Sequence, residues 1–175
     1  VDGAGGASAL AFDADGNVAQ AYRILEGTSF NCAGGPTPWG TWLSCEEIDD
    51  GQVWECDPFA PGQGTARPAL GRFKHENAEL VVAANGKVVV YLGDDERNEY
   101  LYKFVSSGTY DPRNPASGRD ILDSGTLYVA KFNADGTGQW IELALSNSAI
   151  ANYAAYKFAD QADICVNTRL AADAV

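Results

Sequence analysis

The chain has 175 residues, 24 acidic against 12 basic for a formal charge of −12, with 46% apolar and 11% aromatic residues. That apolar content, beside only 21% charged residues, offers enough surface for burial to offset the chain entropy of folding, which argues against disorder and for a compact core. An acidic field with scattered basic residues repels phosphate backbones and anionic lipid, so nucleic-acid and membrane-surface roles lose ground and cations become the natural partners.

The sequence begins at Val1 with no basic-then-apolar leader, consistent with a removed signal or with a piece of a longer protein. In chain order, the first predicted element is a hairpin over Leu10–Leu25 around Asp15-Gly16-Asn17. The longest uncharged run, Gly27 to Cys45, holds two Pro and four Gly and cannot fill a bilayer as a helix, so no membrane span is expected. Within it a Gly/Pro loop feeds a second hairpin, Trp39–Ile48 with Gln52–Cys56, across Asp49-Asp50-Gly51. A third is predicted over Leu80–Leu92 around Asn85-Gly86, then a strand at Leu101–Val105, then a fourth hairpin over Tyr128–Leu143 around Asp135-Gly136. Asn-Gly and Asp-Gly accept the positive φ of hairpin turns, and flanks such as Lys87-Val88-Val89-Val90-Tyr91 are β-branched and aromatic. The loops Pro58–Pro68 and Tyr110–Gly125 are either site-forming segments or surface decoration.

One helix is predicted, over Ala149–Ala174, where Ile150, Tyr153, Ala154, Phe158, Ala162, Cys165 and Leu170 recur near the helical period, with Ser146 or Ser148 as its cap. Hairpins without crossover helices favour a mainly β array such as a propeller over a doubly wound sheet.

Three clusters carry possible chemistry. In Asn31–Glu47 the strand ends in Cys45-Glu46-Glu47, and strand alternation puts Cys45 and Glu47 on one face with Glu46 turned away. A thiolate beside a carboxylate suits iron or zinc; a buried Cys with an exposed Glu is the alternative. Arg72-Phe73-Lys74-His75-Glu76-Asn77 holds the lone His, which reads as structural, leaving Glu76 as the better ligand. Gly93 to Tyr100 sets four carboxylates beyond a strand end, either around a hard cation such as calcium or as a solvated acidic turn. There is no Gly-x-Ser-x-Gly elbow and no serine–histidine context, and Gly3-Ala4-Gly5-Gly6 lacks the preceding strand of a phosphate loop. Four cysteines are too few for a disulfide scaffold, and neither Cys32/Cys45 nor Cys56/Cys165 is spaced as a zinc motif.

The stretches NCAGGPTPWGTWLSCEE (Asn31–Glu47), GRFKHE (Gly71–Glu76), YLGDDERNEYLYKFV (Tyr91–Val105) and FADQADICVNTRLAADA (Phe158–Ala174) resemble the PhoX family of bacterial alkaline phosphatases. The resemblance implies a partial β-propeller over residues 1–175 with long loops and a C-terminal helix, closed by further parts of a parent polypeptide. It implies a periplasmic or extracellular phosphomonoesterase with an oxo-bridged cluster of iron and calcium and a phosphate ester as substrate. By that resemblance Cys45, Glu47 and Glu76 are metal ligands, Asp94 and Asp95 calcium-side candidates or supports, and Asn31 and Arg97 phosphate contacts or loop anchors. In the family the chain runs on into an Asp-Arg-Pro-Glu segment that belongs to the site, whereas this sequence stops at Val175. A non-catalytic propeller with calcium-stabilised loops is the competing reading, since fold does not fix function.

Overall fold

Three turns of the same build organise the chain. Asp13, Ala83 and Asn133 each donate their N–H to the carbonyl of a residue four further on, Asn17, Lys87 and Thr137, and accept from the glycine between them. The result is a three-residue loop whose last member, such as Gly86 at φ +79°, takes the left-handed conformation that a residue with a Cβ resists. The strands these turns join are β1 (Gly5–Phe12) with β2 (Val18–Thr28), β7 (His75–Val82) with β8 (Val88–Asp94), and β10 (Gly125–Phe132) with β11 (Gly138–Glu142).

This is a computed structural model describing residues 2–62 and 64–175; Val1, and Gln63 within the predicted loop Pro58–Pro68, lie outside the described residues. Every strand pairing is antiparallel. The hairpin β1–β2 stands alone, β3 (Asn31–Pro36), β4 (Trp42–Glu46), β5 (Val53–Cys56) and β6 (Gly64–Ala66) form a second sheet in that order, and β7, β8, β9 (Leu101–Ser106), β10 and β11 form a third. Such up-and-down sheets, with C-terminal helices beside them, are the mainly β, partial-propeller architecture expected from the sequence. No helix among the described residues is long and apolar enough to cross a membrane.

The principal core lies between the second and third sheets and takes Leu43, Phe73, Leu92, Tyr102, Phe104 and Leu127, with Ile164 and Ala171 contributed by the helices. A smaller cluster of Ile24, Leu25 and Cys56 seats the β1–β2 hairpin on Trp54.

The structure corrects three expectations. The Gly/Pro loop before Trp39 contains a strand, β3, and the loop Pro58–Pro68 contains β6. Both lack β-branched runs and are drawn into the ladder by their neighbours rather than by their own preference. The single predicted helix is three short ones: α1 (Ser148–Ala151), α2 (Gln161–Val166) and α3 (Thr168–Asp173). The breaks are made by side chains that compete for the backbone. Asn147, rather than either serine, caps α1, Asn152 Nδ2 binds the Ser148 carbonyl, and Asp160 accepts from Asp163 N to start α2 afresh.

The long loops pack on each other around one buried ion pair. Glu55 and Arg67, each with a side chain 5% exposed, meet at 2.8 Å, and the same guanidinium reaches Asp123 and the Arg119 carbonyl. Glu55 also accepts from Trp39 Nε1 and Thr41 Oγ1, both at 2.6 Å, at the wall of a cleft of about 540 Å³. Glu55→Gln turns part of this acceptor into a donor facing three donors. It should lower unfolding free energy by about 1–3 kcal/mol, the cost of an unsatisfied buried group. A urea midpoint equal to wild type would show that water already solvates this pair.

Candidate metal centre

The site is built where two strands cross at short range. A Cβ at Gly35 would overlap the carbonyl oxygen of Ala78 on β7, and one at Gly34 would overlap the Leu43 carbonyl on β4, so this Gly-Gly pair lets β3 lie directly against both neighbours. Near the crossing, both ladders slip. The β3–β4 register breaks between Asn31 and Gly34, and the β7–β8 register breaks between His75 and Ala78. Bulges re-aim side chains. Cys32 lies in the first break and Glu76 in the second.

A third segment joins them. Phe30 adopts a left-handed φ of +46°, uncommon for a residue with a bulky side chain, and its carbonyl accepts the N–H of Glu47 at 3.1 Å. That bond ties the turn after β4 to the start of β3. Cys32, Glu47 and Glu76 then offer one ligand atom each, all within 4.8 Å of one another. Cys32 Sγ donates to Glu76 Oε2 at 3.3 Å.

Two carboxylates beside a thiol resist its ionisation. The hydrogen bond to Glu76, then desolvation, with a further push from Glu47, raise the Cys32 thiol to about 11. A cation between the three groups reverses this electrostatic conflict, since a coordinated thiol is held as thiolate and the carboxylates need no proton. The donor set therefore fits a metal ion. One soft sulfur with two hard oxygens suits iron or zinc rather than magnesium alone.

A family model described as "Alkaline phosphatase PhoX" matches residues 4–56 and 49–175. The chain belongs to the PhoX alkaline phosphatase family. A solved structure of PhoX from Pseudomonas fluorescens, in complex with vanadate, a transition state analogue, is similar at 38% identity and a TM-score of 0.73. The match covers 87% of this chain and 36% of that one, so the chain spans little more than a third of that protein. A comparison with curated proteins gives no match.

The structure brings Glu47 and Glu76 together, but the thiol that meets them is Cys32 and not Cys45. Alternation along a strand pairs Cys45 with Glu47 only while the strand continues, and β4 ends at Glu46. Cys45 is fully buried in the main core, and that burial, with the nearby Cys32 and Glu76, pushes its thiol up to about 12. All four cysteines are free. Glu46 turns away as expected: its carboxylate accepts from Ser29 N, Gln52 N and Trp54 Nε1.

The remaining sequence-derived residues lie outside the group. Asp94 is not open to an ion, because Arg169 binds both of its oxygens at 2.7 Å from Nε and Nη2. Asp95 and Arg97 are exposed in the turn after β8, where the Asp95 N–H binds the Lys74 carbonyl and the Arg97 N–H binds Glu96. The Asn31 amide accepts from Thr28 Oγ1 at 2.6 Å and donates to Ser44 Oγ at 3.0 Å, which ties the start of β3 to its neighbours. His75 is buried, its ring tilted against Phe73 with centroids 3.8 Å apart, and held by burial down to about 3, so its ring is neutral and structural. The sequence signal for Cys32 was its place just ahead of Gly34-Gly35; the bulge that aims it has no local signature.

Proposed function

We propose that the protein carrying this chain is an exported, metal-dependent phosphomonoesterase of the PhoX type, periplasmic or extracellular. In this reading Cys32, Glu47 and Glu76 hold part of an iron–calcium centre. The observation that carries the proposal is the convergence of one thiol and two carboxylates from three separate segments. Family membership supports the phosphatase class, as does the vanadate complex of the similar Pseudomonas protein. When bound, such ions neutralise phosphate charge and hold the ester for in-line displacement, which removes the need for a serine nucleophile.

The chain's own residues prepare the site. The proton that Cys32 must lose to bind a cation points at Glu76 Oε2, and because Glu76 itself ligates as a carboxylate, that proton leaves to solvent past the exposed Cys32. Glu47 is tied by its backbone bond to Phe30, and Glu76 sits in a bulge bracketed by the ladder pairs His75–Asp94 and Ala78–Leu92, so both donors are fixed on either side by backbone hydrogen bonds.

The test uses the full-length polypeptide. Elemental analysis should find iron together with calcium, and p-nitrophenyl phosphate hydrolysis should fall to background with a chelator and return on adding both metals. Calcium alone, with no turnover, would replace this reading by the non-catalytic module.

A further inference from the structure

We propose that Arg169 is a positioning residue that sets the spacing between Glu47 and Glu76; the inference rests on the metal-centre reading above. Arg169 sits on α3, remote in sequence from both carboxylates, and its guanidinium joins the two backbone segments that carry them. Nε and Nη2 clamp Asp94, whose side chain is fully buried, and Nη1 donates to Asp49 Oδ1 at 3.1 Å. Asp49 lies two residues after Glu47. Asp94 is the register partner of His75, the residue before Glu76. The bidentate fork and the third donor thus bridge the turn after β4 to the end of the β7–β8 ladder, a geometry that a lysine cannot reproduce.

The environment shows a bridge under load from several charges. Hydrogen bonding to Asp94 is the main cause that raises the Arg169 guanidinium above its ordinary value, while Glu99 lies at 3.8 Å. Lys74, which immediately precedes His75, reaches Glu96 and also Asp49 at 3.8 Å. Both cations therefore meet at Asp49, and Lys74 lies two residues before Glu76. Tyr100, the residue before β9, donates to Asp173 at 2.7 Å and so fixes the end of the same helix beside that strand. The helix is thereby anchored independently of Arg169, which separates the positioning of the carboxylates from simple attachment of α3.

The experiment titrates metal-free full-length protein with cobalt(II), whose thiolate charge-transfer absorption reports Cys32, and follows thermal unfolding in parallel. Arg169→Gln should weaken cobalt binding about 10–100-fold, the range for groups that orient ligands, with the absorption band recovered at saturation. Asp49→Ala removes only the arm to the turn, from a side chain 78% exposed. It should weaken binding in the same direction without lowering the melting temperature, and the two changes together should weaken it by less than their product. Arg169→Lys should not restore wild-type affinity. Wild-type affinity in both Arg169→Gln and Asp49→Ala would overturn the inference and leave Arg169 as a helix anchor. Should Arg169→Gln not fold, wild-type affinity in Asp49→Ala alone overturns it. If wild-type protein binds no cobalt, or Cys32→Ser keeps the band, the metal-centre reading itself fails and the role of Arg169 with it.

Discussion

Cys32→Ser should abolish the metal centre, whereas Cys45→Ser should leave it in place and cost stability instead. Cys32 offers the soft donor of the group, and a serine hydroxyl at neutral pH is neither an anion nor a soft ligand. The expected loss of affinity exceeds the 10–100-fold typical of residues that merely orient ligands, and hydrolysis should fall with it. The fold should survive, since Cys32 is exposed and its side chain contributes nothing to the buried core among the described residues. Cys45 presents the opposite case. Its side chain is fully buried among Leu43, Val53 and Phe73, so a hydroxyl there loses solvation without a prepared partner, at about 1–3 kcal/mol. Metal content by elemental analysis and a urea midpoint, measured on both variants, separate the two roles. Metal lost in Cys45→Ser at unchanged stability would move the ligand back to the buried cysteine.

The contrast shows where sequence reasoning works on this chain and where it stops. Hairpins were legible because their cause is local: a glycine that accepts positive φ, flanked by runs such as Val88-Val89-Val90, needs nothing distant to fold back. The strand β3 was not. Asn31-Cys32-Ala33-Gly34-Gly35-Pro36 has little strand preference of its own and is extended because β4 pairs with it and β7 lies against it. The acidic members of the group, Glu47 and Glu76, could be picked as side chains beside a strand end and beside a lone structural histidine. Choosing between two cysteines required parity along a strand, and parity fails at a bulge, where a single extra residue reverses which face a side chain occupies. The acidic run after β8 misled for a related reason. Asp94 is consumed by an arginine 75 residues away, which no spacing near Asp94 discloses.

Gly35→Ala should damage the site from a position that contributes no ligand. The added methyl meets the Ala78 carbonyl oxygen, a backbone atom held in the β7–β8 ladder opposite Leu92, so it cannot swing aside as a side-chain tip would. The strand β3 must instead lift from β7. Cys32 lies three residues before Gly35, and Glu76 two residues before Ala78, so the lift opens the gap between thiol and carboxylate. Overpacking of this kind costs about 1–3 kcal/mol, and a displacement of about 1 Å at reacting or ligating groups is worth roughly a hundredfold in activity. Gly93→Ala supplies the control: a Cβ there meets nothing within 4 Å, and its effect should stay within about 0.5 kcal/mol. Cobalt titration and urea unfolding of the two variants measure both consequences. Wild-type affinity in Gly35→Ala, with stability lowered, would mean that Cys32 and Glu76 are placed by their own bulges and not by the contact between the strands.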